Sequence, residues 1–398
     1  MRGFRRRGLR TGCGAGRALR SSLVLLVALL FVPRSAAALG IGEEGGLTSV
    51  DVHAFVSQGF ILTKANNYLA DNTTHGSFQF SEVGINFTKT LTDRMRVGVQ
   101  LFAQDLGSTG NYDAKVDWAY LDYRFADWLG VRAGRVKIPF GLYNEVNDID
   151  SARVPILLPQ SVYPEQNRNF LLAQTGAEIY GYVHMRPAGA LEYRLYGGTI
   201  FIDPSAATPG PLQITSLEVP YLAGGRLMWE PPVEGLRLGG SVQMLRLDVN
   251  LVAAMMPVTV RAPVVLSVGS VEYAAGNLLL SAEYSRWENH TDSSNPAIVP
   301  AGPDTASERA YAMASYRAAP WFQPGVYYSV YFPNTALRDG RENVQHDVAT
   351  TLRFDLNDHW LFKVEGHYMV GTAALTSSEN GNVALSGLTP AWGVLLLK

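Results

Sequence analysis

The strongest constraint on this chain is a two-residue rhythm that runs through most of its length. Met95, Val97, Val99, Leu101 and Ala103 alternate with Arg94, Arg96, Gly98, Gln100, Phe102 and Gln104. Ala177, Ile179, Gly181, Val183 and Met185 alternate with Glu178, Tyr180, Tyr182, His184 and Arg186. Trp360, Phe362, Val364, Gly366 and Tyr368 alternate with Lys363, Glu365 and His367. Successive side chains on a strand point to opposite faces, so each run is a strand with one apolar and one polar face. A helical route through a membrane is closed: beyond residue 38 the best apolar run, 251–260, is broken by Pro257, and a spanning helix needs about 20 apolar residues.

Alternation alone suits a soluble sandwich as well as a barrel, and the connections decide between them. Tight turn signals recur at Thr92-Asp93, Ala126-Asp127, 187–189, 231–234, 275–277, 318–320 and Asn357-Asp358. Between them lie longer polar segments near 63–77, 106–113, 139–173, 202–219, 250–262, 288–307, 333–343 and 371–390. Short and long connections alternate strictly, and together they join about sixteen strands. A sandwich has no reason to keep its long loops at one end. An outer-membrane barrel does, with an even strand number, short periplasmic turns and longer outer loops. Aromatic residues beside the connections, among them Trp118, Trp128, Trp321 and Trp360, suit interfacial girdles. Closure also removes the sheet edges that would otherwise invite aggregation. The expected fold is all-β: a transmembrane antiparallel β-barrel of about sixteen strands.

The start of the chain is consistent with export. Residues 1–20 hold seven arginines and no acid, the apolar run 23–32 follows, and Ala36-Ala37-Ala38 closes the segment. A basic region, a short apolar core and an A-x-A site together describe a secretory signal peptide, 1–38. The mature barrel is then 39–398. Eight arginines leave with the signal, so the formal net charge moves from −2 to −10. The single cysteine, Cys13, leaves too, which excludes disulfides and thiol catalysis in the mature chain. An acidic exported protein is a poor nucleic-acid binder.

One connection is anomalous. Residues 134–176, with Pro139, Pro155, Pro159 and Pro164, are too long for an ordinary loop and too rich in Ile, Leu, Tyr and Phe for a disordered one. The run GRVKIPFGLYNE from Gly134, followed by Pro155, Pro159 and SVYPEQ from Ser161, resembles the bacterial outer-membrane porins distantly related to the phosphate-selective porins. The resemblance implies a sixteen-stranded and usually trimeric barrel whose third outer loop folds into the lumen. It implies outer-membrane lipid and small hydrophilic or ionic solutes as partners, and no cofactor. Ile156, Leu157, Leu158, Phe170 and Leu171 would then pack the loop against the wall. Passive diffusion would be filtered by charge at the constriction, since low-dielectric walls focus the field of charged rings.

The candidate constriction residues follow from wall parity and from the loop. Arg94, Arg96, Arg124, Arg132, Arg135 and Lys137 form a basic wall, Arg153 and Arg168 add loop cations, and Glu145, Asp148, Asp150 and Glu165 supply the opposing charge. Arg135 and Lys137 face inward only if Val136 and Ile138 are offset by a phase shift such as a bulge. Phosphate-selective relatives depend on dense pore cations, and the acidic balance here argues against that selectivity. No nucleotide-loop, zinc-protease or serine-elbow motif is present. The oxygen-rich run Asn147-Asp148-Ile149-Asp150-Ser151 lacks the spacing and glycine of a calcium loop. An outer-membrane enzyme or adhesin on the same scaffold is the alternative, and a soluble exported β protein the third. The last residues, AWGVLLLK, lack the terminal aromatic usual in such barrels, which predicts poor closure.

Overall fold

The computed structural model describes residues 49–107, 110–201 and 213–398. The expected signal peptide lies outside the described residues. The strands are β1 (Asp51–Gln58), β2 (Phe60–Lys64), β3 (Ser81–Thr92), β4 (Met95–Asp105), β5 (Lys115–Ala126) and β6 (Leu129–Lys137). They continue as β7 (Ala173–His184), β8 (Ala190–Phe201), β9 (Gln213–Glu230), β10 (Leu236–Ala253), β11 (Met256–Ala275) and β12 (Leu278–Asn289). The last are β13 (Asp292–Ser293), β14 (Thr305–Tyr316), β15 (Phe322–Phe332), β16 (Gln345–Asp355), β17 (Leu361–Gly371) and β18 (Ala391–Leu397). One helical turn, α1 (Arg168–Leu171), ends the long loop.

All eighteen segments belong to one antiparallel sheet in which chain neighbours pair and β18 returns to β2. The count is slightly above sixteen for two local reasons. Gly59 interrupts the first stave, and its halves turn to different partners, β1 to β3 and β2 to β18. The backbone there is crowded, since a Cβ on Gly59 would lie 2.5 Å from the Phe80 ring. The second surplus segment, β13, is a two-residue addition to β11 inside the loop after β12. The short last strand closes the ring in register from Gly393↔Lys64 to Leu397↔Phe60, and Lys398 exchanges backbone hydrogen bonds with Lys363. The poor closure expected from the chain end is therefore not what the fold shows.

The seven tight turns fall where the sequence placed them, but one expected loop does not exist. Residues 250–262 continue the β10–β11 ladder to Ala253↔Met256, and Ala254 and Met255 make the turn at φ 49° and 62°. Pro257 is no breaker here. The pairing of β11 with β13 stops at Val260, so beyond it β11 is an edge where a missing N–H is tolerated.

Burial is inverted relative to a soluble protein. Ile179, Leu195, Leu227 and Tyr368 are exposed on the outer face, whereas Glu178, Gln243, Glu283 and Glu365 are buried inside. Such a surface is a lipid-facing one, and the antiparallel ladders between strands supply the backbone pairing that a bilayer demands. At the tight-turn end Phe125, Trp128, Trp321 and Trp360 are exposed, and Phe354 packs between Phe322 and Phe362 at 5.2 and 6.3 Å. These rings supply a girdle. Leu195, central in β8, tests the assignment. Leu195→Arg is expected to destabilise the barrel by about 2–4 kcal/mol, read from denaturant titrations of vesicle-reconstituted protein; no loss would contradict a lipid-facing Leu195.

Candidate functional site

The site is built where β6 leaves the wall and the chain turns inward. The backbone departs from ordinary strand geometry at Gly134, with φ 128°, and an added Cβ would meet the Ala119 carbonyl oxygen at 2.3 Å. Beyond this point the Lys137 ammonium reaches Asp148 at 2.6 Å and Asp117 at 3.4 Å. Arg135 donates to the Asp117 carbonyl at 3.0 Å. The change of phase needed by these two cations thus lies in the conformation of one glycine, and the β6–β7 ladder keeps its register.

From Ile138 to Leu172 the chain crosses the inside of the barrel, where few of its peptide groups have a ladder to join. Wall side chains meet them instead. Glu283 on β12 accepts the Leu142 N–H at 2.9 Å and also the Tyr163 and Tyr311 hydroxyls. Gly141 allows this approach, because a Cβ there would lie 2.4 Å from the Tyr163 hydroxyl. Glu365 on β17 accepts the Ile156 and Leu157 N–H groups at 2.7 and 2.9 Å. The Lys363 ammonium donates to the carbonyls of Asp150, Arg153 and Pro155 at 2.7, 2.9 and 3.3 Å. Arg353 on β16 adds Ser151 and Arg153. His367 sits between Asp347 and Glu365, 3.0 Å from each.

Charge organises the opposite wall. Arg132, Arg194 and Arg226 alternate with Asp122, Glu178, Glu145 and Glu192, and Arg194 bridges Glu145 of the loop and Glu178 of the wall at 2.8 Å each. Burial alone would raise the Glu145 carboxyl, but Arg194 and Arg226 outweigh it and hold it below the usual range. Burial would likewise raise Asp150, and the Lys398 ammonium at 2.9 Å with Arg153 at 3.1 Å drives it well down. Arg168 pairs with Asp148 and lies over the Phe102 ring at 5.0 Å. Apolar packing completes the docking. Leu158, Val162 and Leu171 join one buried cluster with wall residues such as Leu222 and Tyr327, and Ile156 and Leu157 join another with Trp392. The side chain of Phe170, expected beside them, lies outside the described residues.

The expected residues are not all brought together. Arg132, Lys137, Glu145, Asp148, Asp150, Arg153 and Arg168 meet in the lumen network, and Arg135 borders it. Glu165 lies 3.7 Å from Arg168. Arg96 is half exposed and holds Asp122 at 3.4 Å from below. Arg94 is exposed in the β3–β4 turn, and Arg124 is exposed beside Asp127. Both belong to the tight-turn end, because inward parity fixes the face and not the height. Asp148 and Asp150 are occupied by cationic side chains, so the oxygen-rich run has no cluster to offer calcium. Glu283, Glu365, Lys363, Arg353, Arg194 and Arg226 went unidentified from sequence. Glu365 and Lys363 carried a signal, since both lie on the polar face of an alternating run.

No family model matches this sequence, and no curated relative does. Solved structures do match by shape. OmpF of Salmonella typhi, solved with daunomycin, aligns with a TM-score of 0.55 at 12% identity, covering 90% of this chain and 99% of that one. The anion-selective porin of Comamonas acidovorans gives 0.51 at 12%, covering 87% of this chain and 98% of that one. The outer-membrane channel DcaP of Acinetobacter baumannii gives 0.51 at 11%, covering 90% and 98%. This is an outer-membrane porin fold. With its lipid-facing exterior, a porin fold resides in the bacterial outer membrane.

Two measurements probe the porin-fold loop. Glu365→Ala removes the acceptor of two buried amides, so hydrogen exchange at Ile156 and Leu157 is expected to accelerate by about 10- to 100-fold; unchanged protection would show that Glu365 is not the anchor. Glu165 supplies a pH test. Burial, with Glu82 nearby, pushes its carboxyl up to about 6. A raised carboxyl pKa means the folded loop binds the proton more tightly than the unfolded one. Its stabilising contribution is therefore full below the unfolded pKa, about 4.3, and is lost as pH rises through about 6. Exchange in 164–168, corrected for intrinsic rates, should slow from pH 7 to pH 5, and Glu165→Gln should flatten that dependence.

Proposed function

We propose that the mature chain, after removal of 1–38, is a restrictive outer-membrane porin that passes small hydrophilic or ionic solutes by passive diffusion, filtered by charge at the lumen loop. It acts as a channel and not as an enzyme, and it works as a homotrimer. The observation that carries this reading is the span of the loop. Its anchors lie on β4, β6, β8, β9, β10, β12, β14, β16 and β17, so the segment crosses the lumen instead of lining one side of it. A large barrel otherwise leaves an open aqueous channel. A crossing segment held by buried ion pairs leaves only narrow passages, and the charges beside them set which ions enter.

The mixed sign of the network makes strong anion preference an unexpected result. Arg132, Arg194 and Arg226 stand beside Asp122, Glu145, Glu178 and Glu192 within the same wall. Purified protein in planar bilayers tests the function directly. Stepwise conductance, small for a sixteen-stave barrel and only weakly selective in asymmetric KCl, is expected. Deleting 146–167 should enlarge the step severalfold, because the crossing is then lost. A folded protein that conducts nothing with or without the loop would refute the channel.

A further inference from the structure

Above the crossing loop, at the end of the barrel that carries the long loops, a cavity of about 70 Å³ opens between Tyr68, Gln160, Gln166, Arg309 and Tyr331. Arg309 is buried, at 6% exposure. Its guanidinium lies 3.4 Å from the Trp287 ring centre and 4.6 Å from that of Tyr331. Nη1 donates to the Ser161 carbonyl at 3.2 Å and Nε to the Ser307 hydroxyl at 3.3 Å. No described carboxylate comes within 4.0 Å of it.

That last fact sets Arg309 apart. Arg153, Arg168, Arg194, Arg226 and Arg353, the other buried arginines among the described residues, each pair with a carboxylate. A desolvated guanidinium without a counter-charge is costly, and aromatic faces return only part of that cost. Nη2 and the second hydrogen of Nη1 remain unmet among the described residues. We propose that Arg309, clamped between Trp287 and Tyr331, is a binding subsite for a small monocarboxylate in the outer vestibule. The planar fork matches two carboxylate oxygens, a single cation matches a single charge, and a cavity of about 70 Å³ limits the occupant to a few heavy atoms. Tyr68, Gln160, Gln166 and Tyr331 line the cavity beside Arg309. As a first stop for a permeating solute the subsite rests on the channel reading; binding itself does not.

The test is therefore a binding measurement that needs no ion flow. Line broadening of carbon-13 formate is titrated with the purified, heat-modifiable full mature barrel. Saturable broadening, weakened about tenfold or more in Arg309→Gln and unchanged in Arg338→Gln at the exposed rim, supports the subsite. Equal binding by Arg309→Gln, or no saturable binding by the unaltered protein, overturns it. If Arg309→Gln does not yield a folded barrel, Arg309→Lys decides, because it keeps the charge and loses the fork. Weakening of about threefold or more then supports the subsite, and unaltered binding overturns it. Absent conductance in bilayers alongside intact formate binding would remove the channel and leave the subsite.

Discussion

A polypeptide that crosses the inside of a barrel has left the ladder that satisfied its backbone. Each peptide group buried there without a partner costs on the order of 1–3 kcal/mol, and this requirement shapes the protein's interior. Glu283 and Glu365 are placed to accept amides, Lys363 to donate to three carbonyls, and Arg353 to donate to one of these and to that of Ser151. The polar inner face of the wall is thus largely committed to holding the loop. Removing one such group would expose its partners to the same penalty, so the network is stable as a whole and intolerant in its parts.

The same logic explains why the loop's charges became paired. A carboxylate at the centre of a crowded lumen is disfavoured unless a cation stands beside it. Asp148 is met by Lys137 and Arg168, Asp150 by Arg153 and Lys398, and Glu145 by Arg194 and Arg226. In the proposed channel, the charges that brace the loop are also the charges nearest any narrow passage, so structural and filtering roles would fall on the same side chains. Arg309 departs from that pairing: of the buried arginines among the described residues it alone has aromatic faces where the others have a carboxylate.

Much of the barrel was legible in the chain. Seven tight turns, the alternating faces of β4, β7 and β17, and the length of the third outer connection follow from period-two patterning and turn chemistry, both local properties. The reading failed where a local signal competes with a distant partner. Residues 250–262 look like a loop because of Pro257, yet β10 continues to pair with β11 through them. Arg94 and Arg124 have inward parity, yet they stand at the tight-turn end, because height in a barrel depends on stagger between strands.

What the sequence determined by itself was the crossing segment and its wall face: 134–176 is too long and too apolar for a surface connection, and alternation names the polar face opposite it. Only the tertiary structure decided that this segment reaches across to β12 and β17, and which wall side chain meets which amide. Glu283 lies 141 residues from Leu142, and Glu365 lies 209 from Ile156. Separations of that size leave no periodic trace in the chain. They are set when sixteen staves close into a ring and bring both walls within hydrogen-bonding reach of one loop.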